Sequence, residues 1–129
     1  MSASDTATRG IRIIATPRYV PEHSAPARAQ YLFVYDISIR NGGDVPVKLL
    51  SRHWVITDGE GRVEEVRGEG VVGHQPRLQP GQHFDYTSAC PLPTPVGTMH
   101  GSFRMAVDGG EEFDATIQPF RLAVPGALN

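Results

Sequence analysis

The chain has 129 residues, 40% hydrophobic and 20% charged, with a formal net charge of −2 and one cysteine. That length suits a single domain with its own core, the charge balance excludes a global field that would recruit nucleic acid or an acidic membrane, and a lone Cys90 excludes an intramolecular disulfide. No apolar run approaches the ~20 residues of a membrane helix, and the polar start lacks the apolar segment of a secretory signal, so the expected compartment is the cytoplasm.

In chain order, residues 1–8 are mostly small and polar and are expected to be disordered; the folded domain is expected over residues 9–124. Residues 9–20 read as a β-branched strand with Ile11 and Ile13 on one face and Arg12 and Ile14 on the other. Pro21 and Pro26 mark a loop. The clearest strand follows, where Tyr31, Phe33, Tyr35, Ile37 and Ile39 give the period-two pattern of a core-facing surface. Asn41, Gly42, Gly43 and Asp44 stop it. Residues 45–58 return as a long strand kinked near Ser51, with Trp54 and Ile56 sharing a face. Asp58, Gly59, Glu60 and Gly61 are hairpin residues, and residues 62–67 read as a short polar edge strand.

A glycine- and proline-rich connection covers residues 68–81. Beyond it Phe84, Tyr86, Ser88 and Cys90 share one face of a further strand. Pro91, Pro93 and Pro95 predict a stiff link to Gly97. Phe103, Met105 and Val107 line the next strand, and Gly109-Gly110 close a hairpin into Phe113, Ala115 and Ile117. The apolar phase then moves from odd to even at Gln118-Pro119, which predicts a bulge before Phe120, Leu122 and Val124. About seven strands at this spacing, without a convincing helix, predict an all-β sandwich of the immunoglobulin or fibronectin type III kind.

Gly68, Gly70 and Gly73 form the only GxGxxG spacing in the chain. A dinucleotide loop with that spacing needs a helix immediately after it, and Pro76 and Pro80 prevent one. The spacing therefore reads first as a strand connection. Its alternative is a nucleotide or pyrophosphate site, with Arg67 and Arg77 flanking the amides of Gly68, Gly70 and Gly73.

Other chemistry has less behind it. No GxSxG elbow surrounds any serine, and Cys90 lacks the signature of a thiol enzyme, so no catalytic residue is assigned and the protein is expected not to be an enzyme. The five histidines, His23, His53, His74, His83 and His100, never take zinc spacing. Asp108, Glu111 and Glu112 cluster at one hairpin and Asp58 and Glu60 at another, without calcium-loop spacing. No metal site and no cofactor are expected.

Specific residues carry a resemblance. Arg52-His53-Trp54, Ile56-Thr57-Asp58, Gly70-Val71-Val72-Gly73 with Gln75-Pro76, Pro80-Gly81 with Phe84, Tyr86, Thr87 and Ser88, and Gly97, Met99, Gly101, Phe103 and Met105 closely resemble the bacterial ApaG family, over roughly residues 9–124. The chain departs from the family at His74, where Glu is usual. The resemblance implies a fibronectin III-like sandwich and an association with cobalt resistance and magnesium efflux. Similar domains occur in some eukaryotic F-box proteins and in a protein that interacts with a DNA polymerase, which implies a protein-binding module. Loops on a rigid sandwich are where such folds place function. The expected recognition surface for a protein partner is therefore Val71, Val72, His74 and Arg77, with one valine facing the core and the other facing out.

Overall fold

A computed structural model describes residues 3–127 of the chain. They form nine strands: β1 Ser4–Thr8, β2 Ile11–Tyr19, β3 Tyr31–Asn41, β4 Val47–Asp58, β5 Val63–Glu69, β6 Arg77–Leu78, β7 His83–Leu92, β8 Val96–Val107 and β9 Glu112–Ala123. Two short 3-10 turns, Pro21–His23 and Pro26–Arg28, occupy the expected loop. All ladders are antiparallel. One sheet has the order β1-β2-β3-β7; the other has the order β5-β4-β8-β9, with β6 also paired to β4. The expected all-β sandwich is the fold observed.

Period-two alternation builds the core from both sheets. Ile13 faces Ile39 across β2 and β3, and Phe33 faces Cys90 across β3 and β7. Phe33, Ile39, Phe103, Met105 and Leu122 have no accessible surface. Trp54 is 3% exposed and lies edge-on to Tyr35, Phe103 and Phe120, with ring centroids at 5.3, 6.2 and 5.9 Å. The kink expected near Ser51 is a register shift between Leu49 and Ser51. The phase change at Gln118-Pro119 is a second irregularity, because Met99 pairs with Phe120 whereas Gly101 pairs with Ile117.

Two expectations need correcting. Residues 4–8 are ordered as β1, paired from Ser4↔Ala15 to Thr8↔Ile11; Met1 and Ser2 lie outside the described residues. The segment has little apolar content because its stability comes from the ladder, from the Asp5–Arg12 ion pair and from packing on β9, where the Thr116 N–H donates to Thr8 Oγ1 at 3.2 Å. The proline link is also shorter than expected, since β7 runs to Leu92 and β8 begins at Val96. The packing of β1 and β2 on β9 closes one side of the sandwich. On the opposite side β7 and β5 are the outer strands of their sheets, and no ladder joins them among the described residues.

Candidate functional site

The open side carries the glycine-rich connection, and a bulge in β4 organises it. Leu50 is the extra residue in the β4–β8 register. A bulge re-aims backbone groups that a regular ladder would use. The Leu50 carbonyl turns outward and accepts the Gly70 N–H at 2.9 Å and Gln75 Nε2 at 2.8 Å. The Leu49 N–H donates to the Pro76 carbonyl at 2.9 Å. β5 therefore leaves the edge of β4 at Glu69, and β6 rejoins that edge opposite Val47 and Lys48. Residues 70–76 project between them, anchored at both feet.

The tip is a two-residue turn. The Val71 N–H donates to the His74 carbonyl at 2.8 Å, and the His74 N–H returns to the Val71 carbonyl at 2.9 Å. Val72 and Gly73, the two central residues, have φ of 43° and 82°. That sign pattern belongs to type I′ turns, which ordinarily place Asn, Asp or Gly at both positions. A β-branched residue there is strained. Val71 is 1% exposed and plugs the core, whereas Val72 is 52% exposed at the tip. One valine does face in and the other out. The cause is the turn rather than an extended segment, and Val71 has no surface to offer a partner.

The glycines of the GxGxxG spacing have local structural reasons. Gly68 lies opposite Arg52 in the β4–β5 ladder, and a Cβ on it would come within 2.7 Å of the Arg52 guanidinium carbon. The guanidinium lies flat over that bare backbone, and its Nη1 donates to the Glu69 and Gly70 carbonyls, both at 3.0 Å. A Cβ on Gly70 would stand 2.4 Å from the His74 carbonyl, so only glycine lets the excursion close.

The flanking arginines do not converge on these glycines. Arg67 lies opposite His53 and contacts Glu65 at 3.4 Å. Arg77 lies opposite Lys48 and is bonded to Asp108. Their positions on β4 are about 16 Å apart at the usual strand rise. The amides of Gly70, Val71 and His74 all donate within the protein, so the backbone is not arranged as an anion cradle. His74 is exposed and packs its ring on Phe84 of β7, with centroids at 5.7 Å, linking the turn to the other sheet.

Arg52 and Tyr86 carry the family resemblance in the sequence, but no pattern there assigns either of them to this site. Arg52 is one of eleven arginines and gained meaning only from its position over Gly68. Tyr86 lies on the inner face of β7, and its hydroxyl is buried without a hydrogen-bond partner. Burial, and next the nearby Tyr35, raise its pKa, while Arg52 acts in the opposite direction. Burial also pushes the Cys90 thiol up to about 12, with the Glu64 carboxylate adding to the rise. A thiol in that state is a poor nucleophile.

The acidic hairpins are engaged by arginines. Asp108 pairs with Arg77, Glu111 with Arg9, and Glu112 with Arg104. Asp58 and Glu60 both pair with Arg62. Among the described residues there is no group of three or more His, Cys, Asp or Glu side chains placed to hold a metal ion, and no helix is long and apolar enough to cross a membrane.

Comparison with known proteins agrees with the motifs. Residues 21–107 match the ApaG domain. The chain is 56% identical over 119 residues to Protein ApaG of Azotobacter vinelandii, covering 92% of this chain and 94% of that one. It is 53% identical over 126 residues to Protein ApaG of Anaeromyxobacter sp. (strain K), covering 98% and 99%. The crystal structure of an ApaA protein from Bordetella pertussis superposes with a TM-score of 0.88 at 50% identity, covering 97% of each chain.

Proposed function

Because this chain belongs to the ApaG domain family, we propose that it is a non-enzymatic binding module that docks a protein partner on the turn at residues 71–74, in a bacterial response to divalent cations. The observation that carries this reading is Val72. An apolar, β-branched side chain is held at positive φ with half its surface in water, at a position where Asn or Gly would relieve the strain. Backbone strain of that kind concentrates at functional segments. His74, in the same turn, packs its ring on Phe84 of β7, giving a small apolar anchor with a polar surround. Arg77 contributes through its pair with Asp108 at the foot of β6.

The link to cobalt and magnesium is proposed to run through the partner. His53 contacts Glu65 at 2.8 Å and His83 contacts Asp85 at 3.2 Å, so these side chains are already engaged. Calorimetry with each cation should give no stoichiometric micromolar site, and such a site would overturn this part.

The docking surface is tested by capturing partners from the native cell with the wild-type chain and with Val72→Asp, which tolerates the turn geometry and removes the apolar anchor. The expected result is a native melting temperature and loss of the captured protein. A folded Val72→Asp chain that captures the same set would place the interface elsewhere.

A further inference from the structure

The outer edge of β7 is the longest backbone edge on the open side, at ten residues against seven for β5. Its hydrogen-bonding direction follows from its neighbours. The Asn41 N–H donates to the Gln82 carbonyl across to β7, whereas the Gly42 N–H and the Leu32 carbonyl bond toward β2. Antiparallel partners alternate strictly, so the odd residues of β3 bond β7, and in β7 the even residues Phe84, Tyr86, Ser88 and Cys90 bond back. The N–H and C=O groups of His83, Asp85, Thr87 and Ala89 therefore point away from the sheet. Pro91, next in that series, has no N–H to offer and ends the row.

Natural edges are usually blunted by charge, proline or cover. β5 has that protection in Glu64, Glu65, Arg67 and Glu69, and β1 is packed against β9. β7 has His83 and Asp85 at one end and Pro91 at the other, with Thr87 and Ala89 unprotected between them, and its inner face, Phe84, Tyr86 and Ser88, is half-buried at the opening. A row of outward backbone groups beside such an opening is complemented by another strand. The side chains indicate which strand. Arg52 lies at the inner face of β5 beside the opening; its guanidinium donates to the Glu69 and Gly70 carbonyls, and no carboxylate pairs with it among the described residues. A second copy of β7 would bring Phe84, Tyr86, Ser88 and Cys90 to that position, none of them acidic.

We propose that residues 83–89 accept an extended peptide segment of a protein partner as an added strand, with an acidic side chain of that segment meeting Arg52 in the opening between β7 and β5. This rests on the protein-binding reading above and names the class of partner. The His74–Phe84 contact places the recognition turn at one end of the added strand.

The test is selection of a random eight-residue peptide library on the full chain. The expected winners alternate β-formers with one Asp or Glu on the inward side, and they slow amide exchange at His83, Asp85, Thr87 and Ala89. Binding should fall about tenfold or more when Ala89→Pro removes one outward N–H, or when the peptide is N-methylated on the face toward β7. Ala89→Pro repeats the arrangement already present at Pro91 and should fold; the N-methylated peptide tests the same bonds on the wild-type chain. No enriched peptide, or peptides indifferent to both changes, overturns the proposal. A dimer of the wild-type chain abolished by Ala89→Pro overturns it in favour of a second copy as occupant. Loss of binding on Val72→Asp alone, with Ala89→Pro neutral, removes strand addition and leaves the turn as the docking surface.

Discussion

At the scale of single residues, Val72 and Trp54 are opposite cases. A valine at φ 43° crowds its γ-methyl groups against the backbone, and no packing compensates at 52% exposure. Val72→Asn is expected to stabilise the fold by about 1 kcal/mol, measured by denaturant unfolding. A destabilised variant would mean that the valine makes a stabilising contact. Trp54 has three aromatic neighbours and 3% exposure. Trp54→Ala is expected to cost about 3–5 kcal/mol through lost transfer energy and the cavity left behind, and an unchanged melting temperature would contradict its place in the core.

At the scale of elements, each excursion from the sandwich is fastened by one side chain or one bulge. The β4–β5 hairpin depends on Asp58, whose side chain is 7% exposed. Burial by itself would raise the Asp58 pKa. Hydrogen bonds from the Arg62 side chain and from the Glu60 and Arg62 amides outweigh it and leave the pKa lowered. A lowered folded-state value means that the stabilisation is complete above the unfolded pKa of about 4 and is lost as pH falls through the folded one. Stability of the wild-type chain is therefore expected to decline below about pH 4. Asp58→Asn should be less stable at neutral pH, with the difference narrowing in acid. Parallel stability curves for the two chains between pH 7 and pH 2 would contradict this role.

At the scale of the whole molecule, one side of the sandwich is closed by β1 on β9 and the other is left open beside the turn at residues 71–74. Removing residues 1–8 deletes β1, uncovers the flank of β2 and frees the Thr116 N–H. The truncated chain is expected to melt roughly 5 °C or more below the full chain. An unchanged melting temperature would mean that β1 adds no stability. The asymmetry also explains which strands had visible sequence signals. β3, β7, β8 and β9 alternate strongly because their inner faces fill the core, and all four were readable. β1 has little apolar content because it acts as a cover, and its register with β2 comes from backbone pairing that composition does not reveal.

The order of apolar and polar residues was sufficient to specify the all-β sandwich, the inward faces that carry Phe33 and Ile39 in β3 and Phe103 and Met105 in β8, and the two irregularities at Ser51 and at Gln118-Pro119, because alternation along a strand is a local property of the chain. It was also enough to show that no helix could follow the GxGxxG spacing, since proline acts on its immediate neighbours. Only tertiary structure could assign Gly68 to Arg52, Gly70 to the closure of the turn, Val71 to the core and Val72 to the surface. Those assignments depend on an extra residue in β4 and on where β5 and β6 meet its edge. They are contacts between segments distant in sequence, which no local pattern encodes.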